Sequence, residues 1–187
     1  MPTNNILILV GSLRANSTNQ QLAEAIALNA PVQVDVIIHE PLGNIPFYNE
    51  DIDVEGHVPA AAAALRAATK KADTLLLVTP EHNGTIPAVL KNAIDWLSRP
   101  YGEGALKGKP TAVIGAAFGQ YGGIWAQDEV RKAIGIAGAR VLNDVSLAVP
   151  GSLARFAEVH PKDDAEVVKQ IKGVLDAIAE ARCMAAP

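Results

Sequence analysis

The sequence is short of several things that would define a class at once. Cys183 is its one cysteine in 187 residues. No internal disulfide can form, and a disulfide-stapled secreted scaffold is excluded. Its four histidines, His39, His57, His82 and His160, share no metal-ligand spacing with each other or with the cysteine, so no metal site is expected. Positive charge is not in excess: 16 Lys and Arg stand against 20 Asp and Glu, for a net charge of −4 and a pI near 5.5. No broad basic face follows, and nucleic acid is not an expected partner. Long apolar runs are missing too. Stretches such as Ile6–Val10 fall far short of the roughly 20 residues that a membrane helix needs. The first ten residues carry no basic segment before that run, so no signal peptide is read there and the cytoplasm is the expected compartment. Aromatic residues are few, eight in all, but their placement matters below.

What the chain has in quantity is apolar side chains, 49% of residues, with a slightly positive mean hydropathy. That balance is opposite to disorder. Four β-branched or aliphatic runs read as strands: Ile6–Val10, Val32–Ile38, Leu75–Val78 and Ala112–Ala117. A fifth, Val141–Val149, is partly alternating. The first and third are apolar throughout, as in strands covered on both faces. Helical patterns lie between them, at Gln20–Asn29, His57–Lys71, Thr85–Leu97, Trp125–Ala137 and Asp163–Arg182. In the third, Ile86, Val89, Leu90, Ala93, Ile94 and Leu97 form one stripe, and Pro87 is placed in its first turn. In the last, Val168, Ile171, Val174 or Leu175, and Ile178 are the expected inward positions. The order βαβαβαβαβα predicts a three-layer α/β sandwich around a five-stranded parallel sheet, one domain over residues 1–187 with no linker.

In such sheets ligands bind beyond the C-terminal ends of the strands. Those ends lead into residues 11–19, 41–53, 80–84 and 118–123. The first of these loops, GSLRANSTN, ends at a helix start and gathers Ser12, Arg14, Asn16, Ser17, Thr18 and Asn19. Hydroxyls, amides, one positive charge and free backbone N–H groups at a helix N-terminus suit a phosphate ester. The plainer reading is that Ser17 or Thr18 caps the helix and the rest is a polar loop. The loop is neither a Gly-Lys-Ser/Thr phosphate loop nor a GxGxxG fingerprint. After the third strand comes TPEHNGTIP, residues 79–87, where Asn83–Gly84 is a strong turn former beside Pro80. An ordinary turn would need neither Glu81 nor His82, and adjacent residues seldom converge as an acid–base pair. There is no GxSxG elbow to supply a serine nucleophile. Seven of the eight aromatic residues, Phe47, Tyr48, Trp96, Tyr101, Phe118, Tyr121 and Trp125, fall in or beside the expected rim. That suits a flat heteroaromatic ligand or a subunit interface; core packing is the plainer reading, notably for Trp96 and Phe156.

Two stretches together, GSLRANSTNQQLA (11–23) and TPEHNGTIPAVLKNAIDWLSRP (79–100), resemble the NAD(P)H-dependent FMN reductase family of the flavodoxin-like superfamily. IPFYNEDID (45–53) and the Gly122–Gly123 pair extend the resemblance over most of the chain. It implies a flavodoxin-like sheet of order 2-1-3-4-5 with bound FMN. On that resemblance Ser12, Arg14, Ser17, Thr18 and Asn19 are the phosphate site, Thr18 through its backbone N–H. Pro80, Glu81, His82, Asn83 and Gly84 would wall the ribityl chain and ring, and Gly119, Tyr121, Gly122 and Gly123 would form a third cofactor loop. The family's chemistry needs no catalytic side chain: NADPH or NADH passes hydride to flavin N5, leaves, and a quinone, flavin, azo or metal-oxyanion acceptor follows in ping-pong order. The resemblance also implies a homodimer or homotetramer, with the helix over 85–99 near the contact. Departures from the pattern stand at His82, where tyrosine is frequent, and at Ile124–Trp125, where an arginine often follows the glycine pair. A flavodoxin-type electron carrier and a non-catalytic FMN sensor are the alternatives; the near balance of acidic and basic residues argues against the carrier.

Overall fold

A computed structural model describes residues 4–183. Six strands, β1 (Asn4–Val10), β2 (Val34–Ile38), β3 (Thr74–Val78), β4 (Pro110–Ala116), β5 (Arg140–Val141) and β6 (Ala148–Val149), form an all-parallel sheet of order β2-β1-β3-β4-β5, with β6 also beside β4. The helices are α1 (Thr18–Asn29), α2 (Ala60–Lys71), α3 (Ala88–Leu97), α4 (Ile124–Ile136), the single-turn α5 (Ser152–Arg155) and α6 (Ala165–Cys183). This is the flavodoxin-like arrangement expected from the sequence, with one strand more.

Side-chain alternation builds the layers. Ile6, Ile8 and Val10 of β1 pack with Leu22 and Ile26 of α1 and with Val167, Ile171 and Ile178 of α6. Leu7 and Leu9 point the other way, onto Leu65 of α2, Leu90 and Ile94 of α3, and Val130 and Ile134 of α4. With both faces covered, β1 and β3 have no polar side to show, hence their continuous apolar runs. Each fully buried Leu or Ile contributes about 1.5–3 kcal/mol relative to exposure.

The structure corrects several expectations. The fifth strand is two short pieces. β5 pairs with the start of β4 through Pro110↔Arg140 and Thr111↔Val141, and β6 with its end through Gly115↔Ala148 and Ala116↔Val149. Between them the chain leaves the sheet while Leu142, Val145 and Leu147 stay buried, which is why the stretch reads as one alternating strand. β2 starts at Val34, since Val32 is fully exposed. α2 starts after Pro59, and α3 after Pro87, which occupies the N-cap and not the first turn. α6 buries Val167 in place of Val168.

Candidate active site

β1 hands over to the first loop at Gly11, whose N–H donates to Val78 O at 2.8 Å. A side chain there would press on Leu90 and Pro80 at 3.2–3.3 Å, so glycine lets the ends of β1 and β3 close together. The loop turns through Asn16 at φ 56°, a left-handed position asparagine tolerates. Ser17, not Thr18, is the N-cap of α1: its hydroxyl accepts Asn19 N–H at 3.3 Å. Ser12 Oγ accepts Arg14 N–H at 3.4 Å. Arg14 is exposed and forms no salt bridge among the described residues. A free guanidinium, hydroxyls and the first-turn N–H groups of α1 therefore face one place.

Asn19 does something its sequence position does not announce. It is 2% exposed; its Nδ2 donates to Ala116 O at 2.8 Å and its Oδ1 accepts Ala116 N–H at 2.9 Å. The β3–β4 ladder ends at Val78↔Ile114. The Asn19 amide takes up the backbone groups that β3 leaves behind, and so fixes the first loop to the tip of β4.

In the second loop His82 and Thr85 exchange both backbone hydrogen bonds, at 3.2 and 3.0 Å, around Asn83 (φ 52°) and Gly84 (φ 75°). Positive φ at both central residues is the type I′ hairpin turn, for which Asn-Gly is the favoured pair. Glu81 turns away from His82 and accepts Ala126 N–H of α4 at 3.2 Å, so the two are not an acid–base pair. The third loop carries Gly122, where a side chain would stand 2.7 Å from Ala148 C, and Gly123, the N-cap of α4 at φ 80°. Tyr121 and Trp125 meet with ring centres 5.4 Å apart and their planes tilted by 49°, half exposed beside the hairpin.

These loops enclose a cleft of about 430 Å³ at the C-terminal ends of β1, β3 and β4. Of the residues singled out in the sequence, Ser12, Arg14, Ser17, Thr18, Asn19, Pro80, Glu81, His82 and the rim aromatic Phe118 line it. Asn83, Gly84, Gly119, Tyr121, Gly122 and Gly123 are not in its lining. Sequence reasoning missed Pro87–Val89 on one wall, and Ser152 with Leu153 on the other. Ser152 is buried, and its hydroxyl accepts from Thr18 Oγ1 at 3.4 Å. It lies 134 positions away along the chain, and no periodicity marks it. A hydroxyl-, amide- and arginine-lined end with an open, largely apolar body suits a phosphate ester carrying a flat organic group, and FMN is such a molecule.

The 45–53 segment is held from behind. Asn92 accepts Tyr48 N–H at 2.8 Å and donates to Ile45 O and Pro46 O, while Trp96 Nε1 donates to Pro46 O at 2.7 Å. Arg66 grips Asp53 with two bonds of 2.6 and 2.7 Å and lies over the Trp96 ring. That guanidinium holds the Asp53 carboxyl below its ordinary 3.8. Burial, with Asp53 nearby, pushes the Tyr48 phenol up. Trp96 is thus a core residue and not a rim aromatic, whereas Phe47 is left 78% exposed. A larger groove, about 610 Å³, runs between α3, the 98–107 loop and α4 over Ile94, Ala133 and Ile136. It lies off the strand ends and presents ion pairs such as Lys91–Asp95. Among the described residues no three His, Cys, Asp or Glu gather as a metal site, and no helix is long and apolar enough to cross a membrane.

Fold and cleft define the class: a doubly wound, flavodoxin-like α/β protein with a phosphate-ready loop beyond β1. Comparison with known proteins narrows it. The family model for NADPH-dependent FMN reductase matches residues 4–154. A quinone reductase of Pseudomonas putida is 43% identical over 130 residues, 70% of this chain and 69% of its own. An NAD(P)H-dependent FMN reductase of Pseudomonas aeruginosa is 38% identical over 152 residues, 81% of this chain and 80% of its own. Among solved structures, the flavoenzyme NAD(P)H:(acceptor) oxidoreductase FerB of Paracoccus denitrificans superposes with a TM-score of 0.82 at 27% identity, covering 95% of this chain and 98% of that one. The chain belongs to the NADPH-dependent FMN reductase family, a family of oxidoreductases.

Proposed function

We propose that this protein is an FMN-dependent NAD(P)H oxidoreductase that reduces quinones and related small acceptors in ping-pong order. The observation that carries this reading is the meeting of Gly11–Arg14 and Ser17–Asn19 with Pro80–His82 in one cleft beyond β1 and β3. The chemistry supplied by bound FMN is two-electron redox: hydride in from NADPH or NADH, two electrons and protons out to the acceptor. The chain's own residues bind and orient. Ser12, Arg14 and Ser17, with the Thr18 N–H, would hold the phosphate, the α1 dipole adding to their attraction. Asn19 acts through Ala116, keeping those donors in register. The wall from Pro80 to Gly84 would border the ribityl chain and ring, with Gly119 and the Tyr121–Gly123 turn at its outer rim. One open cleft serves donor and acceptor in turn, which favours alternate over simultaneous occupancy. Quinones are the acceptor that the 43% identical relative's name supports; flavins, azo compounds and metal oxyanions are others the site would admit.

The same reading takes the chain as a cytoplasmic homodimer or homotetramer. The α3–α4 groove, with Ile136 81% and Tyr101 89% exposed beside it, supplies the apolar area such a contact needs; sedimentation velocity checks it.

The deciding experiment is the visible spectrum of the purified protein, followed by anaerobic NADPH and, separately, NADH. A flavin band that bleaches within seconds supports the enzyme, and the faster donor is the preferred one. A band that persists with both donors overturns it in favour of a carrier or sensor. Unchanged FMN affinity in Arg14→Ala with Ser17→Ala would refute the phosphate assignment.

A further inference from the structure

The second loop owns a carboxylate whose partner is on another element. Glu81 Oε2 accepts the Ala126 N–H, in the first turn of α4, at 3.2 Å. The first N–H groups of a helix have no partner inside it, and the α4 N-cap is Gly123, which has no side chain to offer. A cap normally comes from the residue at the helix start; here it arrives from 45 positions earlier in the chain. The hairpin's other hydrogen bonds are its own, between His82 and Thr85. Among the described residues, the Glu81 bond is the one that ties residues 81–85 to another element.

The α4 start is itself well braced. Gly122 abuts Ala148 of β6 too closely for any side chain. The buried Gln127 amide donates to Gly122 O and to Leu147 O, both at 3.3 Å. A side chain on Gly84 would come within 3.9 Å of the Trp125 ring, so the hairpin tip and the α4 start lie face to face. The loop packs on that rigid body, with Gly123 close against Glu81 and Gly84 against Trp125, and the Glu81 carboxylate adds the one directional bond that fixes its place there.

We propose that Glu81 is a positioning residue: through its hydrogen bond to Ala126 it sets where residues 80–84 stand against the cleft, and thereby the affinity and electronic environment of the bound flavin ring. This rests on the FMN reading above and goes beyond it, since there the loop served only as a wall. The bond, not the charge, does the work. An amide oxygen at the same position would still accept the N–H, and a truncated side chain would not.

The test uses the full-length protein with Glu81→Ala and Glu81→Gln. Three quantities are read: exchange of the Ala126 amide in the apoprotein by NMR, the FMN dissociation constant by fluorescence quenching, and the flavin midpoint potential. In Glu81→Ala, Ala126 exchange should quicken, the dissociation constant should rise by up to about tenfold, the most that one ordinary hydrogen bond is worth, and the potential should move. Glu81→Gln should stay within about threefold of the parent in affinity, with its potential unmoved. Unchanged Ala126 exchange in Glu81→Ala would overturn the tether. Quickened exchange, or a lowered melting temperature, with affinity and potential intact would leave a merely structural cap and overturn the link to the flavin. A Glu81→Gln protein as impaired as Glu81→Ala would make the charge the active property and overturn the inference. A parent protein that takes up no FMN would defeat the FMN reading and this link together, and is told apart because the Ala126 exchange arm still reports on the tether.

Discussion

Replacing Asn19 by Ala removes two hydrogen bonds at once and leaves the Ala116 N–H and C=O, 1% exposed as a residue, with nothing to replace them. The net worth of each bond is about 1 kcal/mol, and a buried group left unpaired costs about 1–3 kcal/mol. Partial relaxation and water entering from the cleft offset some of that, so a loss of about 3 kcal/mol is expected. For a chain of this size, each kcal/mol moves the melting midpoint by about 2–4 °C, which gives a fall of about 6–12 °C. Calorimetry of the apoprotein reads it without any cofactor. Asn19→Asp sharpens the test. A carboxylate can still accept the Ala116 N–H, but it presents an acceptor to the Ala116 carbonyl and cannot donate. It also places a negative charge in the first turn of α1, where the dipole welcomes it but a phosphate would not. Asn19→Asp should therefore regain little of the melting temperature lost in Asn19→Ala, because a carboxylate buried against a carbonyl oxygen costs what the retained bond and the dipole return, and it should bind FMN more weakly. An Asn19→Ala protein that melts within about 1 °C of the parent would refute the reasoning, because unpaired buried groups cannot be that cheap.

Gly115→Ala should prevent folding or lower the midpoint severely, because its Cβ would lie 2.1 Å from Thr79 O, a backbone atom that cannot swing aside; soluble yield and melting midpoint read this, and a well-folded variant would count against the close β3–β4 approach. Trp96→Phe loses the indole donor to Pro46 O and opens a small void, so a loss of about 2 kcal/mol is expected in urea unfolding, together with greater protease sensitivity of the 45–53 segment. Because Arg66 lowers the Asp53 pKa in the folded state below 3.8, the pair's stabilisation is complete above that pH and is lost as acid carries the pH through the folded value. The urea-midpoint gap between the parent and Asp53→Asn should hold steady from about pH 7 to about pH 5 and close below 3.8; a gap that widens in acid would reverse the sign of the argument.

Much of this architecture was legible because burial on both faces writes itself into composition. The runs Ile6–Val10 in β1 and Leu75–Val78 in β3 announce themselves by having no polar position, and the layers follow from the helices between strands. The Asn83–Gly84 turn was legible for a local reason, since two successive positive φ values nearly require such a pair. Illegible were the features made by contact between distant segments. The stretch 141–149 has the inward residues of a strand, but whether it pairs throughout or only at its two ends depends on the path of β4. Asn19 in sequence is one more polar residue of a phosphate-type loop; its bond to Ala116 exists only once the loop crosses the end of β3. Trp96 sat among rim aromatics by position, and the helix phase of α3 turned it inward against Pro46 and Arg66. Ser152 came from beyond the last strand, where no pattern points back to the cleft.

The broken margin of the sheet has a consequence for behaviour at high concentration. An unbroken outer strand is a template: its row of free N–H and C=O groups can recruit a strand from another molecule and begin a fibril. Here that margin consists of two dipeptides, Arg140–Val141 and Ala148–Val149, separated by a detour that buries its own apolar residues. The opposite margin, β2, is five residues long and carries Asp35 on its open face. The β5–β6 margin offers an incoming strand a foothold of two residues where growth would need five or six, and the β2 margin sets a charge against one, so both edges resist edge-to-edge polymerisation.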